Sequence, residues 1–169
     1  AAIDCGFKRL EATNFANPRY LPQFRDAHEV MKAIDKERRK GVEITAVTIT
    51  GRGIQEAVKA RQEGYGPDRI LNMISTSEPH NLRNAGLSHV EHWKKMEQWI
   101  NLAHDNTMKF NGCVSTIWGC PIKGPMPMSL GWEFAQRFLE MGADDIEHAD
   151  HDGQATPDKV YAYFCQVLD

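Results

Sequence analysis

The sequence predicts an α/β protein in which parallel strands are covered by helices. Two patterns predict it. Short runs rich in β-branched and apolar residues alternate with longer amphipathic segments, about five times in succession. Polar residues recur just where each strand-like run ends, as they do where α/β sheets bind ligands at the carboxyl ends of their strands. With 169 residues, 41% of them hydrophobic and 25% charged, the chain has enough apolar material for a sizeable core, which excludes disorder as a description of the whole.

Taken in order, Phe7–Thr13 reads as a strand, and Asn17-Pro18 punctuates the loop after it. Asp26–Arg39 places Val30, Met31 and Ile34 on one helical face, with Gly41 as its stop. Val42–Thr50 is a β-branched strand, and Ile54–Glu63 a helix closed by Gly64. Arg69–Ile74 reads as a buried strand and Ser75–Ser88 as a polar loop. His89–His104 is a long amphipathic helix whose Trp93, Met96, Trp99 and Ile100 form a core face. Met108–Thr116 is a strand, and Trp118–Ser129 a loop rich in Gly and Pro. Leu130–Met141 is a helix closed by Gly142, and Asp144–His148 a short strand. Thr156-Pro157, a cap followed by proline in the first turn, opens the last helix. Neither a low-complexity linker nor a second domain interrupts residues 1–169. Two architectures fit, an open doubly wound sheet or part of a (β/α)8 barrel.

Charge and motifs narrow the function. Lys and Arg number 20 against 23 Asp and Glu, a net charge of −3, which disfavours a protein that binds nucleic acid by neutralising phosphates. No apolar run approaches the ~20 residues of a membrane span. Ala1–Gly6 has neither the basic nor the apolar region of a signal peptide, so a cytoplasmic or organellar-matrix protein is expected. The four cysteines, at 5, 113, 120 and 165, form no CxxC pair and are expected as free thiols. There is no GxGxxG after the first strand and no GxxxxGK[ST], so nucleotide-binding readings are weak.

The candidate chemistry lies at the strand ends. Glu147-His148-Ala149-Asp150-His151-Asp152 is the densest cluster; it suits a divalent cation or acid/base work, and equally a polar loop in which Asp caps a turn before Gly153. Glu11 stands among apolar neighbours, as a carboxylate held in a partly buried site or as the partner of an arginine such as Arg9. Cys120, in Trp118-Gly119-Cys120-Pro121, is a nucleophile only if its pKa is lowered, and otherwise an inert small residue. Asn14, Thr48 and Ser115 add polar groups that suit substrate binding. His89 and His92 read as a solvated helix face, and the basic run Lys36–Lys40 as a helix end that suits the macrodipole.

Across Arg9–Gln23 (RLEATNFANPRYLPQ), Gly53–Val58, Val114–Gly124 (VSTIWGCPIKG) and Met141–Ile146, then at Asp150, Gly153, Thr156 and Pro157, the sequence resembles the 3-hydroxy-3-methylglutaryl-CoA lyase family. The resemblance implies a (β/α)8 TIM-type barrel of which this chain carries strands two to six only. It implies a metal-assisted retro-aldol cleavage with Mg²⁺ or Mn²⁺, giving acetyl-CoA and a keto product. By motif, Glu11, Asp150 and Cys120 match family active-site positions. Asn14, Thr48, Ser115, Glu147, His148 and His151 would line the substrate. The family's Arg-Asp pair on strand one and His-x-His on strand seven have no counterpart here, so the metal ligands are expected outside this stretch. A barrel of this type needs about 250 residues, so the chain is expected to be an incomplete single domain, continued in the same polypeptide or completed by another chain. Glu147–Gly153 replaces the family's S-L-G-D-T-I-G, and Asn14 replaces a Ser, which opens the identity of the acyl group. The expected partners are an acyl-CoA or small hydroxy-acid substrate and further copies in a homo-oligomer, with no nucleic acid and no membrane. The alternatives are a condensing synthase of the citramalate or isopropylmalate type and a non-catalytic barrel subunit.

Overall fold

The computed structural model describes residues 2–34 and 39–167. Its strands are β1 (Arg9–Asn14), β2 (Glu43–Val47), β3 (Arg69–Ser75), β4 (Lys109–Ser115), β5 (Gly119–Cys120), β6 (Gly124–Pro125) and β7 (Asp145–His148). Its helices are α1 (Ala27–Ala33), α2 (Gly51–Gln62), α3 (Glu78–Ala85), α4 (His89–Asp105), α5 (Ser129–Glu140) and α6 (Pro157–Val167). β1, β2, β3, β4 and β7 form a parallel five-stranded sheet in that order, while β5 and β6 make a small antiparallel pair. No described helix is long and apolar enough to cross a membrane.

Most of the expected elements form within a few residues of their expected bounds. The helix expected over Asp26–Arg39 forms as α1 to Ala33, and residues 35–38, which hold most of the basic run, lie outside the described residues. Gly64 and Gly142 follow α2 and α5 with φ of +84° and +94°, the left-handed conformation that ends a helix cheaply only at glycine. Pro157 opens α6.

Two expectations are corrected. The segment Ser75–Ser88 is not all loop but holds α3, with Pro79 near its start and left-handed Gly86 at its end. It escaped a search for apolar periodicity because its inward face is polar: His80 and Asn81 are buried, while its Leu82 is 49% exposed. His89 and His92 do not form a solvated face. His92 is 0% exposed and lies within hydrogen-bond distance of the Asn81 amide, and His89 Nε2 is 2.8 Å from the Ser75 carbonyl oxygen, to which it donates. The start of α4 is held by a capping box in which the backbone N–H of Ser88 donates to Glu91 and that of Glu91 to the Ser88 hydroxyl.

The chain divides into two compact units. Unit 1 comprises residues 1–72 and 95–111, and unit 2 residues 73–94 and 112–169. In unit 1, β1 pairs with β2 and β2 with β3, both in parallel. A bulge between Glu11 and Thr13 interrupts the β1–β2 register. An extra residue there breaks the simple alternation of faces near the end of β1. The core buries Ile44, Ile54, Ile70, Met96, Ile100 and Phe110, each contributing about 1.5–3 kcal/mol.

The amino ends of the unit 1 strands are stitched by charge. Glu43 accepts from Arg9 Nε and Arg69 Nη2, each at 3.1 Å, and from Lys109. Arg69 is only 2% exposed. Asp68 accepts from Arg61 Nη1 at 2.9 Å and from the Ile44 backbone N–H at 3.0 Å. In unit 2, Trp93 meets Phe134 and Phe138 edge-on at 5.2 and 5.0 Å, and the Arg137 guanidinium lies 4.6 Å over its ring. Gly112 is required beside them, since a Cβ there would stand 2.5 Å from the Phe138 ring.

Two measurements check this frame. Glu43 has its pKa held down to about 2 by the hydrogen bond from Lys109 and by Arg69, against the opposing effect of burial. Its contribution to stability is therefore complete above the ordinary value of 4.5 and fades as pH falls toward about 2. Denaturant unfolding should show that acid limb in the native chain and a shallower one in Glu43→Gln, which should also lose about 1–3 kcal/mol at neutral pH. Gly112→Ala should cost about 1–3 kcal/mol by overpacking, read in the same experiment.

Candidate active site

The carboxyl ends of β3 and β4, both within unit 2, carry a dense set of buried hydroxyls. The Thr76 backbone N–H donates to the Ser115 carbonyl at 3.0 Å, continuing the ladder past the end of β3. Thr76 Oγ1 donates to the Thr116 carbonyl at 2.8 Å and stands 3.0 Å from Thr116 Oγ1. Ser75 Oγ lies 3.0 Å from Ser115 Oγ. Thr116 has φ of +60°, a strained conformation for a β-branched residue that costs about 1–3 kcal/mol and clusters at functional sites.

Imidazoles extend this set outward. His80 Nδ1 is 2.6 Å from Ser75 Oγ, and His80 Nε2 is 3.1 Å from His151 Nε2. His80 is buried and its imidazole titrates below its ordinary value, first because of burial and then because of the charges of His151 and Arg83. His151 is exposed. His80 was not among the candidates read from the sequence. Its only advance signal was its place one residue after Pro79, in a segment too polar to read as a helix.

Cys120 is 2% exposed, and its Sγ lies 3.1 Å from Ser77 Oγ and 3.4 Å from each of the Ile122 and Lys123 backbone nitrogens. Burial pushes the thiol up, but the Ser77 hydroxyl and the two backbone N–H groups outweigh it, and the net shift is downward against the opposing Asp152 carboxylate. Gly119 leaves room for Asp152: a Cβ there would stand 2.6 Å from a carboxylate oxygen. Asp152 Oδ1 is buried without a hydrogen-bond partner.

The cluster Glu147–Asp152 divides among several tasks. His148 Nδ1 lies 2.8 Å from the Tyr163 hydroxyl, with its ring edge-on to Tyr163 and Phe164 of α6, so its side chain faces the covering helix. Burial lowers its pKa. Glu147 is exposed, with the Cys113 thiol 3.9 Å from Oε1. Asp150 accepts the backbone N–H groups of Gln154 and Ala155 at 3.1 and 3.0 Å, the turn-capping arrangement. Of the six, His151 connects to the hydroxyl set, through His80.

In unit 1, Glu11 is exposed on β1, and Asn14 closes that strand with its Oδ1 buried and without a hydrogen-bond partner. Thr48, fully buried just past β2, donates to the Leu71 carbonyl at 3.2 Å. Asn72 Nδ2 donates to the Thr48 carbonyl, and its Oδ1 is buried without a partner. Arg9 meets Glu43 at 3.1 Å. Among the described residues no three of His, Cys, Asp and Glu stand together as a cation requires. These residues do not by themselves fit the metal that the resemblance implies.

No protein-family model matches the chain. A hydroxymethylglutaryl-CoA lyase of Bacillus subtilis is 30% identical over 155 residues, 92% of this chain and 50% of that protein. The mitochondrial hydroxymethylglutaryl-CoA lyase of Gallus gallus is 28% identical over 165 residues, 98% of this chain and 53% of its own length. Among solved structures, the HMG-CoA lyase of Brucella melitensis superposes with a TM-score of 0.87 at 29% identity, covering 98% of this chain and 56% of that one. The chain is related to the hydroxymethylglutaryl-CoA lyases. It spans about half the length of the curated lyases it matches, and its fold is a partial (β/α)8 barrel. An HMG-CoA lyase of Acenitobacter baumannii, with a TM-score of 0.86 at 27% identity over 96% of this chain and 50% of that one, was solved with coenzyme A and 3-methylmalate.

Ser77→Ala should raise the Cys120 pKa by removing a hydrogen bond to the thiolate. Thiolate absorbance followed against pH should move upward in the variant, and an unmoved curve would remove Ser77 from that role.

Proposed function

We propose that the protein to which this chain belongs is a carbon–carbon lyase acting on a 3-hydroxy-3-methylglutaryl-CoA-like 3-hydroxyacyl-CoA. One observation carries the proposal: the lyase-type stretch Val114–Gly124 begins in the hydrogen-bonded set of hydroxyls at the ends of β3 and β4, in a chain similar to these lyases along nearly its whole length.

In such a cleavage a base removes the tertiary hydroxyl proton. The O–H electron pair becomes the new carbonyl, the carbon–carbon bond breaks, and its pair becomes the enolate of acetyl-CoA, which is then protonated on carbon. The enolate needs positive charge or hydrogen-bond donors placed in advance. A divalent cation would supply charge there, from ligands outside the described residues.

This chain's own residues supply polar groups in each of its two units. Glu11, at the bulged end of β1, acts on the substrate as hydrogen-bond acceptor and proton carrier. Asn14 and Thr48 present polar groups at the ends of β1 and β2. Asp150 shapes the loop after β7 through the two backbone N–H groups it accepts, and acts by positioning that loop. Cys120, shielded from solvent, holds the turn after β4 through its contact with the Ser77 hydroxyl and by accepting the Ile122 and Lys123 backbone N–H groups. Glu147 and His151, where related lyases carry a Ser and a Thr, alter the acyl end of the pocket.

The full-length protein should release acetyl-CoA from 3-hydroxy-3-methylglutaryl-CoA or a close analogue, and a chelator should abolish turnover. Glu11→Ala should lower kcat by about 100-fold or more. Its stability should change by less than about 0.5 kcal/mol, because the residue is exposed. Undiminished turnover in the variant would remove Glu11 from the site, and no cleavage of any hydroxyacyl-CoA would overturn the proposal.

A further inference from the structure

We infer that His80 and His151 form a two-imidazole proton relay joining solvent to the buried hydroxyls Ser75 and Ser115, the route by which the site exchanges its proton. The inference rests on the lyase reading for the reaction it serves, and on geometry for its existence. Four groups stand in a line: Ser115 Oγ to Ser75 Oγ at 3.0 Å, Ser75 Oγ to His80 Nδ1 at 2.6 Å, and His80 Nε2 to His151 Nε2 at 3.1 Å. Ser75, Ser115 and His80 are buried, and His151 is exposed. The line therefore has one wet end and one dry end. Two imidazole nitrogens at 3.1 Å can share one proton but cannot each hold one, so the protonation of either ring is tied to the other.

The transfer balances in both directions. In the outward state Ser75 donates to His80 Nδ1, His80 Nε2–H donates to His151 Nε2, and His151 carries its proton on Nδ1. A proton arriving at Ser75 through Ser115 replaces the one Ser75 passes to His80 Nδ1. His80 releases its Nε2 proton to His151 Nε2, and His151 releases its Nδ1 proton to water. Three bonds to hydrogen break and three form among these groups, with one proton delivered from inside to solvent and no change in oxidation state. Run backward, the same steps bring a proton in.

The surroundings favour the neutral form of His80. Arg83 on α3 adds positive charge beside His80. His89 on α4 bonds the Ser75 carbonyl and orients that serine. Cys120 and Ser77 follow the same strand ends, and Asp150 and Asp152 flank His151 in the chain, with Asp150 engaged by two backbone N–H groups. The lyase-type motif has a Thr where His151 stands, so the relay is not part of that motif.

The test uses the full-length protein with His151→Ala, a change at an exposed position, and His80→Asn beside it. Without any substrate, histidine NMR against pH should show His80 titrating below an ordinary imidazole. In His151→Ala the His80 titration should move upward, because the His151 imidazole no longer opposes the charging of His80. In the lyase assay His151→Ala should lose about 100-fold in kcat with KM changed less than about twofold, and added imidazole should restore part of the loss. A His80 titration identical in the two proteins, an undiminished kcat, or a loss that imidazole does not restore would each overturn the relay. Absence of lyase activity in the unaltered protein would count against the reaction alone, because the NMR arm needs no turnover.

Discussion

The hydrogen bonds that tie the end of β3 to the end of β4 are the constraint on which the site in unit 2 depends. Thr76 to Thr116 and Ser75 to Ser115 place four hydroxyls where little water reaches them, and a buried hydroxyl left without a partner costs more than a made hydrogen bond returns. Each hydroxyl therefore fixes its neighbour, and the set tolerates only one arrangement of the two strand ends. The strained backbone of Thr116 persists because its carbonyl and hydroxyl are both engaged. Strain of this kind, in a buried β-branched residue, fits a turn that must hold a polar group in one place rather than merely reverse the chain.

The amino ends of the unit 1 strands are built from different chemistry. Glu43 gathers Arg9, Arg69 and Lys109, and Asp68 gathers Arg61 and a backbone N–H of β2. These are structural ion pairs, and a deeply buried guanidinium is tolerable there only because a carboxylate meets it. In parallel α/β barrels the amino ends of the strands carry stability, the role these ion pairs play.

Much of this was legible in the sequence, and what was not has physical reasons. Strands rich in β-branched residues and helices closed by Gly64 and Gly142 announce themselves through local chemistry. α3 did not, because a helix that turns His80 and Asn81 inward has no apolar stripe to find. His92 looked solvated for the same reason: a histidine beside Glu91 reads as surface until Asn81 arrives from another element to satisfy it. The bulge in β1 is a property of pairing, invisible in one strand alone. The polar run Glu147–Asp152 marked the right loop but could not reveal its division of labour. Alternation put His148 and Asp150 on one face. The fold instead spends His148 on Tyr163, Asp150 on two backbone N–H groups, and His151 on His80.

We propose that the polar ends of β3 and β4 face a bound hydroxyacyl substrate. A crystal structure of the full-length protein with coenzyme A and a non-cleavable hydroxy-acid analogue tests it most directly. Ligand oxygens should lie within hydrogen-bond distance of Ser115 or His151, with the hydroxyl set of Ser75, Thr76 and Thr116 unbroken behind them. An analogue seated elsewhere, with those hydroxyls remote from every ligand atom, would contradict it.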